Sequence, residues 1–301
     1  MPSFLPSFSL STIFYLIPLY FLVIAPALRQ LFPADPNTII HNASYNPDYD
    51  DHDTDTGIPA NLNLDAIALE DPEPPQCDES NNKYKIHIFS HTPLIMYIED
   101  FLSQTEADYL VNISLPIYTP SPIYTSSTSN KTDKTKRDSQ RALLPRTDPI
   151  KCIEARARAF QGHKPHLYIE RLWTQRYNIS GHYTHHYDWA SNSKARGAGR
   201  LSTFMVYVDD KGLKGGGTNF PYLRKPRGER WCSFIECGGE SESQSQGVTF
   251  KPIKGNAIFW MNLRADGSGY PETWHASLPV EEGEKVGMNI WSWYQPPRGF
   301  V

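Results

Sequence analysis

Between Phe4 and Leu28 the chain has no charged side chain, and between Arg29 and Lys83 it has no lysine or arginine. The first absence argues against an ordinary solvated terminus. Residues 10–28 are largely Leu, Ile, Phe, Tyr and Val, a run that can cross a hydrocarbon core of about 30 Å. Ala25-Pro26-Ala27 also offers an A-x-A-like cleavage site, so residues 1–30 read either as a signal anchor or as a signal peptide that is removed. The second absence argues against a packed core in residues 31–82. Acids are frequent there (Asp48, Asp50, Asp51, Asp53, Asp55, Asp65, Glu70, Asp71, Glu73), aromatics are few and prolines many. This composition reads as a solvated, disordered stem, with an acidic binding segment as the sharper alternative. Cysteine is scarce, and no C-x-x-C pair occurs, which argues against a zinc ribbon. Cys232 and Cys237 are close enough for a local disulfide in an oxidising lumen, while the pairing of Cys77 and Cys152 stays open. Sequons at Asn42, Asn112, Asn130 and Asn178 suit a glycoprotein of that compartment. A net charge of -4 supplies no basic field for nucleic acid, and no internal repeat is visible.

What is present can build a domain. The chain has 301 residues, 39% apolar and 13% aromatic, enough for a sizeable core in one or two domains. The folded domain is expected over residues 83–301. Tyr84-Lys85-Ile86-His87-Ile88 and Leu94-Ile95-Met96-Tyr97-Ile98 read as strands. Ser103-Gln104-Thr105-Glu106 is a capping box opening a helix to about Asn112. Residues 119–141 lack apolar periodicity and read as a long mobile loop. A second helix follows from Pro149, with Ile150, Ile153, Ala157 and Phe160 on one face. Short strands come next, over residues 167–177, 183–188, 201–208, 248–250, 256–260 and 286–294. The class expected is α+β, mainly β, a double-sheet jelly roll with flanking helices behind an N-terminal membrane segment.

The chemistry concentrates in Gly181-His182-Tyr183-Thr184-His185-His186-Tyr187-Asp188. Side chains two apart on a strand share a face, so His186 and Asp188 project together and His185 does not. His182 has the right parity but lies about 20 Å from Asp188 along an extended strand. Alone, such a pair is more often a structural hydrogen bond than a metal site. Downstream of Asp188, however, the chain has one histidine, His275. Two histidines and a carboxylate on one face of a metal form the facial triad of non-haem Fe(II) oxygenases, with positions left open. Lys285 opens an apolar strand ten residues after His275. A cation there needs an anionic partner, which the far carboxylate of 2-oxoglutarate provides; a solvated lysine after Glu281-Glu282-Gly283-Glu284 is the plainer alternative.

From about Met96 to the C-terminus the chain resembles the prolyl 4-hydroxylase family of Fe(II)/2-oxoglutarate dioxygenases. The resemblance rests on Arg176-Tyr177, Gly181-His182-Tyr183, His186-x-Asp188 and Gly215-Gly216-Gly217-Thr218-Asn219-Phe220-Pro221. It continues through Lys254-Gly255-Asn256-Ala257-Ile258-Phe259-Trp260 and Trp274-His275 to Gly283-Glu284-Lys285 and Trp291. It implies iron on His186, Asp188 and His275, with Tyr177 and Thr218 lining the 2-oxoglutarate pocket and Lys285 pairing its far carboxylate. Tyr183, Arg200 and Trp291 fall on the substrate side. It also implies hydroxylation of a prolyl residue in a polypeptide, using dioxygen, with release of succinate and carbon dioxide and with ascorbate as reductant. The implied setting is the endoplasmic reticulum membrane with a lumenal catalytic domain, or secretion after signal cleavage. A same-scaffold enzyme acting on a small molecule, and a non-catalytic lumenal binding module, are the alternatives. Two departures stand out: Gly217 replaces a usual glutamate, and residues 222–250 carry an insertion with Cys232 and Cys237.

Overall fold

The computed structural model describes residues 62–123, 132–189, 198–237 and 247–295. Strands β1 (Lys85–His91) and β2 (Leu94–Glu99) lead into helix α1 (Gln104–Ser114). Then come β3 (Thr119–Pro120), β4 (Arg137–Asp138), β5 (Gln140–Leu143) and helix α2 (Asp148–Phe160). The remainder is strand: β6 (Leu167–Ile169), β7 (Trp173–Tyr177), β8 (His182–His186), β9 (Gly199–Asp209), β10 (Lys214–Gly215) and β11 (Thr218–Phe220), followed by β12 (Val248–Phe250), β13 (Ala257–Met261), β14 (His275–Ser277), β15 (Val280–Glu282) and β16 (Lys285–Tyr294). The molecule is mainly β with few helices, as its sequence suggested.

A large antiparallel sheet runs β1-β2-β13-β9-β16-β7-β5-β3, with β6 beside β16; a smaller one runs β12-β11-β14-β8-β4. From β7 onward the chain passes repeatedly between them: β7 large, β8 small, β9 large, β11 and β12 small, β13 large, β14 small, β16 large. That alternation is the jelly-roll path. Strand alternation explains why the sheets and helices stack. Phe204, Val206 and Val208 of β9 face outward onto Leu110 of α1 and Ile150, Ile153 and Ala157 of α2. Met205 and Tyr207 of the same strand face inward, onto Phe220, Val248 and Phe250 of the smaller sheet. Helix α1 starts where the sequence placed it: Ser103 Oγ accepts from Glu106 N at 3.3 Å, and Glu106 Oε2 accepts from Ser103 N at 2.9 Å.

Several expectations are corrected. Residues 62–82, assigned to the stem, pack on the domain. Leu62, Ile67 and Ala68 are buried, Glu70 pairs with Arg158, Asp71 pairs with Lys151, and Cys77 is disulfide-bonded to Cys152 in α2. The folded unit therefore includes residues 62–82, because cross-chain partners supply what local composition lacks. The loop expected over 119–141 has ordered flanks: β3 and β5 join the large sheet and β4 the small one. The strand expected over 167–177 breaks into β6 and β7. Asp188 lies just beyond the end of β8 rather than on it. Among the described residues no helix is long and apolar enough to cross a membrane. The apolar run at 10–28, Asn42 and Asn130 lie outside the described residues.

Candidate active site

The end of β8 and the start of β14 meet edge to edge, with His275 the register partner of His186. This pairing brings together residues 89 apart in sequence. His186 Nε2 stands 3.6 Å from Asp188 Oδ1, and His275 Nε2 stands 3.9 Å from Asp188 Oδ2. One ligand atom from each lies within 4.8 Å of the others. Both imidazoles are oriented from behind. His186 Nδ1 donates to the Thr184 carbonyl at 2.8 Å and His275 Nδ1 to the Thr273 carbonyl at 2.9 Å, leaving each Nε2 lone pair toward the common point. Thr203 Oγ1 donates to Asp188 Oδ2 at 2.8 Å and fixes the carboxylate. Burial pushes the His275 imidazole down to about 4, with His186 adding to the effect, so it stays a neutral ligand. Burial pushes the Asp188 carboxyl the other way. The facing imidazoles of His275 and His186 with the Arg200 guanidinium more than offset this, and hold it ionised. Two imidazole nitrogens and one carboxylate oxygen on one side of a point suit Fe(II) with open positions.

Behind the triad sits a buried cation. The first residue of β16, Lys285, is 0% exposed. Its Nζ donates to the Gly216 carbonyl at 2.5 Å and to Ser277 Oγ at 2.9 Å, and lies 5.3 Å from the Tyr177 ring centre and 5.7 Å from that of Tyr207. Burial alone pushes this amine down to about 7, and among the described residues no carboxylate offsets it. Ser277 is two residues along β14 from His275, about 7 Å in an extended strand, a separation a short dicarboxylate can bridge. Thr218 is buried here and accepts a 2.8 Å hydrogen bond from Tyr207 Oη. Its neighbour Gly217 has no room for a side chain. A Cβ there would stand 2.5 Å from Thr249 Cγ2 and 3.2 Å from Glu236 Oε1, a carboxylate contributed by the insertion.

Against the triad, through Tyr183 on His186, lie residues expected on the substrate side. Tyr183 stacks on His186 with ring centres 3.7 Å apart, and the Arg137 guanidinium lies 4.5 Å from the Tyr183 ring centre. Arg200 is bound by Glu170 at 2.6 and 2.9 Å and lies 3.7 Å over the Trp291 ring. Among the described residues the buried indole N–H of Trp291 has no acceptor. Trp231 and Phe234 pack the insertion onto Phe89 and Tyr97, and Cys232–Cys237 form the expected disulfide.

Residues 172–293 match the 2OG-Fe(II) oxygenase superfamily. The chain carries a 2OG-Fe(II) oxygenase domain over these residues. The oxygenase is 29% identical over 213 residues to prolyl 4-hydroxylase 1 of Arabidopsis thaliana, covering 69% of this chain and 71% of that protein. It is 28% identical over 218 residues to prolyl 4-hydroxylase subunit alpha-1 of Caenorhabditis elegans, covering 69% of this chain and 34% of that one. Among solved structures it is similar to a viral collagen prolyl hydroxylase of Paramecium bursaria Chlorella virus-1 in complex with 2OG, at 26% identity and a TM-score of 0.48, covering 67% of this chain and 96% of that one. The matched domain and the two curated relatives support a prolyl 4-hydroxylase-like family, and the domain implies Fe(II) and 2-oxoglutarate.

The structure brings His186, Asp188 and His275 within reach of one another and sets Lys285 against Tyr177, Tyr183 against His186, and Arg200 against Trp291. Sequence reasoning missed four partners: Thr203 on Asp188, Ser277 on Lys285, Tyr207 on Thr218 and Glu170 on Arg200. Period-two alternation along β9, counted from Phe204, could have placed Thr203 and Tyr207 on the inner face. Nothing local marks Glu170, whose position comes from the pairing of β6 with β16.

Proposed function

We propose that this oxygenase hydroxylates proline residues within a polypeptide, using dioxygen and releasing succinate and carbon dioxide. The observation that carries the reading is the pairing of an iron-type triad with a buried, carboxylate-free Lys285 one strand repeat away. His186, Asp188 and His275 would hold Fe(II), which when bound supplies the dioxygen activation that no side chain here can perform. Lys285, Ser277, Thr218, Tyr177 and Tyr207 receive the far end of 2-oxoglutarate and set its direction toward the triad. Tyr183 and Trp291 offer aromatic faces to a substrate, and Arg200, held by Glu170, stiffens the Trp291 face. The unpaired Trp291 N–H suits a substrate carbonyl, which would relieve a buried donor. Proline-rich chains are preformed in polyproline II conformation and dock on aromatic surfaces at low entropic cost, which favours a polypeptide over a free metabolite.

The same reading puts the catalytic domain in the lumen of the endoplasmic reticulum, attached through residues 1–30 or released after their cleavage, with ascorbate as reductant and glycans on its sequons. Two disulfides and the sequons support this compartment. The test is turnover of proline-rich peptides against free proline and small acids, followed by mass spectrometry. Oxidation of small molecules alone would replace the polypeptide reading with small-molecule hydroxylation.

A further inference from the structure

The segment expected to be an acidic stem reaches the substrate side of the site through its backbone. Ala68 N donates to the Ile169 carbonyl at 2.8 Å and Arg171 N to the Ala66 carbonyl at 2.7 Å, with Ile67 the antiparallel bridge partner of Glu170. Residues 66–68 therefore lie along the end of β6. Alternate backbone groups of an extended chain point to opposite edges, so Glu170 N turns the other way, toward β16. There it donates to the Trp291 carbonyl at 2.8 Å. Glu170 is thus held between the N-terminal segment and Trp291. Its carboxylate accepts from Arg200 Nε at 2.6 Å and from Nη2 at 2.9 Å, and Arg200 lies 3.7 Å over the Trp291 ring.

Two arginines hold the same segment from α2. Arg158, in the last turn of α2, donates through Nη2 to the Ala68 carbonyl and pairs with Glu70 at 3.1 Å. Arg146, two residues before α2, donates through Nη2 to the Leu69 carbonyl at 2.8 Å and to Glu154 at 2.9 Å. Glu154 is fully buried, so Arg146 cannot swing into solvent without leaving a carboxylate unpaired in the core. Cys77–Cys152 ties the far end of the segment to the same helix. The acids that a solvated stem would leave in water are matched here, Glu70 to Arg158 and Asp71 to Lys151.

We propose that residues 66–69 are a positioning strand for the polypeptide-binding wall, held by Arg158 and Arg146 and acting through Glu170 on Arg200 and Trp291. The inference rests on the polypeptide reading above. It separates substrate binding from iron and co-substrate. β6 joins the larger sheet, while His186 and His275 stand on β8 and β14 of the smaller one. Lys285 is six residues from Trp291 along β16, about 20 Å in an extended strand.

In iron-loaded enzyme, Arg158→Met should raise peptide KM about two- to tenfold, the scale of one hydrogen bond, while kcat, iron content and the 2-oxoglutarate KM stay as in the wild type. In a Trp291→Ala background the same substitution should add less than about twofold, because no wall is left to position, whereas independent sites would multiply their effects. Residue-resolved hydrogen exchange should find the Glu170 N–H faster in Arg158→Met than in the wild type. Should that variant not fold, Ile67→Ala, at the register position of Glu170, is read against the same expectations. An unchanged peptide KM, a multiplied rise in the Trp291→Ala background, or a loss shared with kcat or iron would overturn the proposal. If the wild type turns over no peptide, it is the polypeptide reading that fails. The Glu170 exchange rate then decides the positioning, and a rate equal to that of the wild type overturns it.

Discussion

Replacing Lys285 with methionine keeps an unbranched side chain of similar length and removes the buried cation. Burial lowers this amine from 10.5 to about 7, which at about 1.4 kcal/mol per pH unit corresponds to about 5 kcal/mol of cost for the charged form. The sign follows from proton counting. Between about pH 7 and 10.5 the unfolded chain binds more protons than the folded one, so without co-substrate this group makes stability rise with pH across that window, and leaves it flat below about pH 7. Urea unfolding at pH 7 without co-substrate should therefore find Lys285→Met at least as stable as the wild type, although Lys285 loses hydrogen bonds to Gly216 and Ser277. Co-substrate affinity should move the opposite way. An anion left facing the pocket without its cation loses about 3–5 kcal/mol, roughly two to nearly four orders of magnitude in Kd. Because the amine must take up a proton to pair with a carboxylate, wild-type affinity should weaken up to about tenfold per pH unit above about 7, and the methionine variant should be flat. Calorimetric titration of 2-oxoglutarate into Fe(II)-loaded protein without oxygen reads both. Wild-type affinity in Lys285→Met, or a wild-type Kd that does not change between about pH 6.5 and 9, would show that the far carboxylate is held elsewhere.

His275→Ala removes one of three ligands and a buried ring, so iron content and turnover should both vanish; undiminished iron would sink the triad. Trp291→Ala should raise peptide KM about tenfold or more while sparing peptide-free decarboxylation of 2-oxoglutarate, and an unchanged peptide KM would remove this face from the groove. Cys77→Ser with Cys152→Ser opens a loop of 75 residues, which chain entropy values at about 4 kcal/mol, and a drop below about 1 kcal/mol in urea unfolding would contradict a stabilising strap. Protease treatment of intact microsomes should spare the catalytic domain, and digestion there would place it in the cytosol.

The legible parts of this molecule are those written in local spacing. The capping box of α1, the helix from Pro149 and the central strands β9, β13 and β16 follow directly from pattern. Of the triad, His186 is legible from its parity with Asp188 and His275 from its scarcity, and the register of β8 against β14 supplies the reason they meet. Asp188 was placed correctly at the site for a partly wrong reason: β8 stops at His186, and Thr203 of β9 aims the carboxylate. Residues 62–82 were misread because their acids looked solvated. Their partners, Arg146, Lys151 and Arg158, sit on or beside a helix some eighty residues away, and no local pattern records that. The same limit hid Glu170 and Ser277, whose roles exist only once strands are paired. β4 was hidden for another reason. A two-residue strand has no period to detect.

The most direct test of the central claim is mass spectrometry of a proline-rich peptide incubated with the oxygenase, Fe(II), ascorbate, 2-oxoglutarate and isotopically labelled dioxygen. One labelled oxygen atom should appear on proline, with succinate formed in equal amount, and both should disappear in His275→Ala. Succinate formed with no oxygen on any peptide proline, alongside a labelled small molecule, would contradict the account.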